Sequence, residues 1–241
     1  MTAWAMASDS KSESKPIRFT RRSTCEHGQV DGVRAAFLEA AAGATSILGR
    51  AEVAEHWREV SVLPEFSISG LAGHLLRGIK TVDTYLDGPD PEGASMSAAQ
   101  YYDSLALTAD VSSPLNRAIR TRGEDEASIG CRAVAAEAVA LLNRLSVRLP
   151  AEAPGRRLHV LDGLVITLDE YLRTRIVELV LHSEDLALSV DLFDAPEVAP
   201  TVATVAIETL VDLARLRHGD WAVMRALARR ERDSVNALRV L

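Results

Sequence analysis

The stretch YLRTRIVELVLHSEDLAL, residues 171–188, constrains this chain more than any other. On a helical wheel its apolar side chains cover roughly two-thirds of the circumference, against an apolar stripe of about 100° or somewhat more on an ordinary surface helix. A helix of that kind has to be enclosed by neighbours. The spacing predicts a helix over about Thr167–Leu188. Its narrow polar stripe holds Tyr171, Thr174, Arg175, Glu178, His182 and Asp185. Glu178 and His182 are one turn apart, about 40° around the axis, so both side chains leave on one face. A carboxylate and an imidazole so placed can chelate one divalent cation. A polar stripe is also what the solvent face of any helix looks like, and the pattern alone leaves both readings open.

The rest of the chain supplies the enclosure. Val30, Val33, Phe37, Ala40, Ala44 and Ile47 recur every three or four residues, an amphipathic helix that runs to about Gly49. Ser67 or Ser69 can cap a second helix that continues through Leu86. A short helix is expected over 97–108 and a long one from about Glu124 to Leu149, while Val160–Ile166 is β-branched enough for a short extended segment. Residues 200–241 read as two more helices, after the proline-bearing break DAPEVAP. Four long helices with one long connection predict an all-α bundle. The expected organisation is a tail at 1–28, a bundle at 29–192 and a helical extension at 193–241. That extension is expected to cover the site, cap the bundle or form a homodimer contact.

Composition narrows the functional classes. A hydrophobic content of 47% is enough to bury a sizeable core. A net charge of −7, with arginines interleaved among acids, argues against a nucleic-acid partner, which needs a basic surface. No run approaches the roughly 18 apolar residues of a membrane span. The first residues lack an apolar secretory core. Two cysteines, Cys25 and Cys131, are too few for a disulfide scaffold. A soluble, cytoplasmic protein is the expectation. Phosphate loops, dinucleotide fingerprints and nucleophile elbows are not found in the sequence.

The candidate partner of Glu178 and His182 is His74, within ISGLAGHLLRGI. Gly70 and Gly78 lie one turn to either side of it. Glycine inside a helix costs about 1 kcal/mol relative to alanine. Two of them beside one histidine mean that something approaches closely, either a ligand or a neighbouring helix. His27, His56, His159 and His218 have no ligand partner at useful spacing.

FSISGLAGHLLRG resembles the second-helix motif of the DinB-like superfamily, in particular its mycothiol-dependent maleylpyruvate isomerase branch. RTRIVELVLHSEDLA resembles the later helix of that branch, which carries Glu and His four apart. The resemblance covers roughly residues 30–190. It implies an up-down-down-up four-helix bundle, with a divalent metal, zinc first, held between the second and fourth helices by His74, Glu178 and His182. It also implies that the nucleophile is mycothiol or a similar low-molecular-weight thiol from solution, activated as a metal thiolate, and not Cys25 or Cys131. Two departures from the family pattern are visible: Phe66 stands where the family has tryptophan, and no residue of 200–241 matches the substrate arginine of the isomerase's further domain. The expected activity is a thiol-dependent transferase or isomerase acting on a small electrophile. A non-enzymatic metal-binding bundle and a hydrolase using metal-bound water are the alternatives. Asp185 is the candidate to orient an imidazole, Arg175 to hold a carboxylate or to form an ordinary ion pair, and Tyr171 to donate into the cleft or to pack in the core.

Overall fold

The computed structural model describes residues 25–105, 112–229 and 237–241. Nine α-helices lie within them: α1 (Cys25–Leu48), α2 (Ala51–Glu55), α3 (Ile68–Leu86), α4 (Ala98–Ser104), α5 (Pro114–Ala127), α6 (Cys131–Ala151), α7 (Leu168–Ser189), α8 (Pro200–His218) and α9 (Asp220–Ala228). Local chemistry starts most of them. Ser67 caps α3, accepting from the Gly70 N–H at 2.8 Å, and Thr167 caps α7 through the Glu170 N–H. Ser97 and Gln100 form a reciprocal capping box on α4, and Ser113 with Pro114 opens α5.

Helices α1, α6, α3 and α7 close a ring, each packed on the next. Their directions follow from pairs at their ends. Arg34 near the start of α1 bonds Asp169 at the start of α7 at 2.9 Å, and the later parts of both helices share a groove at Ile47 and Ala187, so α1 and α7 are parallel. The same guanidinium reaches the carbonyl of Leu149 at the end of α6, which makes α6 antiparallel to α1. Asp83 near the end of α3 pairs with Arg148 near the end of α6 at 3.1 Å, so these two are parallel. Tyr171 at the start of α7 donates to Thr81 late in α3, so these two are antiparallel. This is the up-down-down-up four-helix bundle that the sequence motifs imply. Phe37, Leu75, Ile79, Leu145, Leu172 and Ile176 are among the side chains that fill its core.

Two parallel helices in succession, α3 and α6, need a return crossing. Helix α4 makes part of it, lying along α7 with its Ala98 N–H on Glu170 and its Tyr102 hydroxyl on the Thr174 carbonyl. Between α6 and α7 the chain forms one antiparallel hairpin, Arg157–Val160 with Leu164–Thr167, joined by a 3-10 turn at Leu161–Gly163. That is the extended segment expected around 160–166.

The helix expected from about Glu124 to Leu149 is in fact two helices. Gly130 adopts φ of 91° and its N–H bonds the Ala127 carbonyl, which ends α5 before α6 begins. Cys131 opens α6, partly buried and packed against the edge of the core. Helix α1 begins at Cys25, within the segment expected to be a tail; residues 1–24 lie outside the described residues. The short helix expected over 97–108 ends at Ser104, and 106–111 also lie outside them.

The glycines of α3 serve a helix crossing. A Cβ on Gly73 would collide with the carbonyl of Gly123 on α5, and a Cβ on Gly123 with the carbonyl of Gly70. Gly78 faces Leu179 of α7, where an added Cβ would come within 3.3 Å of a methyl carbon. Glu65–Arg120 and Lys80–Glu126 ion pairs flank the α3–α5 contact. Gly73→Ala is therefore expected to lower stability by about 1–3 kcal/mol through overpacking, against the roughly 1 kcal/mol that helix propensity alone would add. Urea denaturation of wild type and variant measures the sign, and a more stable variant would mean a looser crossing.

Candidate metal centre

The antiparallel pairing of α3 and α7 sets His74 opposite Glu178 and His182. His74 Nε2 lies 3.3 Å from Glu178 Oε2, and His182 Nε2 lies 3.4 Å from the same oxygen. The imidazole rings meet edge to face with centroids 4.8 Å apart. One ligand atom from each of the three residues falls within 4.8 Å of the other two. All three side chains are mostly buried and line one cavity of about 280 Å³. The polar stripe of α7 thus faces a cleft, one of the two readings that its pattern left open.

The rest of the stripe surrounds this cluster. Asp185 Oδ2 sits 3.0 Å from His182 Nδ1. Asp185 therefore accepts from Nδ1–H and fixes the tautomer that turns Nε2 toward Glu178. Tyr171 is buried in the core, donates to Thr81 Oγ1 at 2.8 Å and offers its ring face to Arg175, whose guanidinium carbon is 4.9 Å from the centroid. Arg175 donates to Thr174 Oγ1 and has no carboxylate ion pair among the described residues. The ordinary ion pair is thus not formed, and the guanidinium lines the cavity.

Tyr102 is the participant that sequence reasoning missed. It is fully buried on α4 and donates toward Glu178 Oε1 at 3.0 Å. It lies on a seven-residue helix in the crossing, and no local periodicity marks it. Phe66, in the position noted for its aromatic character, stands edge-on to His74 at 6.1 Å. His56 pairs with Glu59, and His159 is exposed on the hairpin.

The electrostatics are those of a site built around a positive charge. Burial pushes the Glu178 carboxyl upward, but hydrogen bonds from His182 and His74 and the charges of His182 and Arg175 hold it well below the usual range. Burial depresses both histidines. At His74 burial wins and the pKa is lowered, with the His182 charge adding to it. At His182, Asp185 and Glu178 reverse the effect and lift it to about 9. With Asp185 on Nδ1, a neutral His182 would aim a lone pair at a carboxylate oxygen. Either a proton or a metal cation relieves that repulsion, and both would sit at the same place. Two imidazoles and one carboxylate are a donor set that could hold a divalent ion, with the cavity beside it.

Residues 37–187 match the family model described as the mycothiol maleylpyruvate isomerase N-terminal domain. The chain belongs to this family. The mycothiol maleylpyruvate isomerase N-terminal domain of this chain contains α3, α4, α5 and α6 entire, nearly all of α7 and all the residues of the centre named above, whereas α8 and α9 lie beyond it. Neither a curated protein nor a solved structure matches the chain significantly. No helix among the described residues is long and apolar enough to cross a membrane.

The His182 shift has a measurable sign. A histidine raised from 6.5 to about 9 stabilises the fold fully below pH 6.5, and that contribution is lost as pH rises through 9. Metal-stripped protein is expected to lose denaturation midpoint between pH 6.5 and 9, and His182→Gln to show a flatter limb. A wild-type midpoint that stays level or climbs over this window would contradict the arrangement.

Proposed function

We propose that this protein is a metal-dependent enzyme that uses a low-molecular-weight thiol, mycothiol or a close analogue, to transfer to or isomerise a small electrophile. The observation that carries the reading is the convergence of His74, Glu178 and His182 on one point in the wall of a cavity. Family membership supports the thiol. The three residues would hold the ion, with zinc first among the metals this donor set accepts. A divalent ion bound there would supply the acidity that keeps a coordinated thiol deprotonated at neutral pH.

The chain's own residues do the rest. Asp185 holds the His182 ring with Nε2 facing the donor cluster. Tyr102 fixes one oxygen of Glu178 and leaves the other for the cluster. Arg175, fully charged and stacked on Tyr171, offers its remaining N–H groups to a carboxylate of the substrate or of the thiol. Burial raises the Tyr102 hydroxyl well above its usual pKa, so it remains a donor and does not compete for the proton of a thiol. Leu105, Leu115 and Ile119 close the cavity toward α4 and α5 and reduce the water available to an open coordination position.

Metal analysis with turnover assays tests this. Purified wild type is expected to carry a stoichiometric divalent ion that His74→Ala loses, and Asp185→Ala is expected to bind the ion about 10- to 100-fold more weakly. Across a panel of electrophiles, turnover should require both ion and thiol. His74→Ala retaining the ion would remove the site. An ion-dependent hydrolysis indifferent to thiol would point to metal-bound water instead, and an ion without turnover to a binding bundle.

A further inference from the structure

The chain beyond the family domain reaches the cavity through its 237–241 segment. Leu241, 53% exposed, lines the same space as His74 and Arg175. It is brought there by Arg217 of α8, whose guanidinium bonds three groups. Nη1 donates to the Val240 carbonyl at 2.5 Å, Nε to Asp103 at 3.1 Å, and Nη2 to the Tyr102 carbonyl at 3.5 Å. Ala237 and Val240 are buried behind it. One side chain therefore ties the 237–241 segment to the end of α4, the helix whose Tyr102 reaches Glu178.

Leu241 joins a set with a common character. Leu105 at the end of α4, Leu115 and Ile119 on α5, and Leu161 in the 3-10 turn also line the cavity, and each is only partly buried. These five aliphatic side chains come from four separate segments, none of them α3 or α7. The metal-ligand candidates and Arg175 occupy the α3 and α7 side. The side facing α3 and α7 is therefore mainly aliphatic, with Asn116 and Arg122 of α5 its polar members, while Leu181 adds one aliphatic group to the α7 side; the five aliphatic side chains leave part of their hydrocarbon surface open to the cavity. A ligand that placed only charged groups here would leave that surface wet, whereas one with a hydrocarbon part would gain by covering it.

We propose that the molecule bound in this cavity carries an apolar aliphatic or aryl group beside its anionic end, that residues 237–241 complete the wall receiving that group, and that Arg217 is the positioning residue holding the wall. The proposal rests on the cavity being the substrate site, as in the reading above, but not on the metal. Arg217 touches no ligand itself. It acts by keeping Leu241 and the end of α4 against each other.

Straight-chain carboxylates from butanoate to octanoate, titrated by calorimetry into metal-loaded and metal-stripped protein, test it. In wild type each added methylene is expected to tighten binding about three- to fourfold, the value for full burial of that group. Leu241→Asn should reduce the gain to about twofold per methylene while leaving butanoate affinity close to wild type. Arg217→Ala should lower the same slope and Arg217→Lys restore part of it, which a general loss of stability would not do. Leu188→Asn, in the separate groove between α1 and α7, should leave the slope unchanged. Affinities independent of chain length, equal slopes in Leu241→Asn and wild type, or a slope reduced by Leu188→Asn would each overturn the proposal. Metal should change the affinity of every carboxylate by a common factor and leave the slope alone. If adding metal changes no affinity, the metal reading fails while a normal slope still supports the apolar wall.

Discussion

A carboxylate held away from water must be surrounded by donors and positive charge, or it will take up a proton. Glu178 is that group here, and the bundle is arranged to meet its demands. His74 arrives from α3, His182 from one turn along α7, Tyr102 from α4, and Arg175 stands nearby with its charge stacked on Tyr171. This set could not assemble if α3 ran parallel to α7, because His74 and Thr81 would then exchange ends. Far from the site Arg34, which is 5% exposed, joins the start of α7 to the end of α6, and Arg148 joins the end of α6 to Asp83 of α3, so that α3 and α7 run in opposite directions. Removing one partner of such a buried charge is more damaging than never having built it.

How far the sequence could reveal this depends on what kind of signal each part carries. The start of α3 was legible because Ser67 is a strong local cap, and α7 because its apolar arc is long and wide. The bundle topology was legible only through resemblance. Periodicity gives the helices but not their directions. The split between α5 and α6 was not legible. Residues 114–127 carry few large apolar side chains, and α5 is buried mainly by backbone contact with α3 at Gly123. Glycine contributes nothing to an apolar stripe, so a helix packed in this way is invisible to periodicity. Gly70 and Gly78 did signal close approach, but which neighbour approached was a question of tertiary structure. Tyr102 was hidden for a related reason. Its contact with Glu178 spans 76 residues and depends on the crossing folding back along α7.

The family domain supplies most of both sides of the cavity, since Leu105, Leu115, Ile119 and Leu161 lie within it and only Leu241 comes from beyond. The family domain, residues 37–187, contains every candidate ligand and every group that tunes them. The C-terminal extension adds one side chain, Leu241, and the Arg217 contacts that hold it. Reactive groups tolerate little displacement, whereas a wall that only shapes a ligand tolerates exchange of one aliphatic residue for another. The centre and the surface that faces it therefore respond very differently to substitution.

The flush contact between α3 and α5 has a consequence for redesign. Gly73 and Gly123 bring the two backbones into direct contact, and Glu124 on Ser67 with the Glu65–Arg120 and Lys80–Glu126 ion pairs holds α5 on either side of that point. Positions 115, 119 and 122 on its cavity side can be randomised as a library without moving the helix that displays them. The glycine seam and these flanking contacts make α5 a fixed display scaffold, on which the range of accepted molecules can be altered while the metal-facing side of the cavity is left untouched.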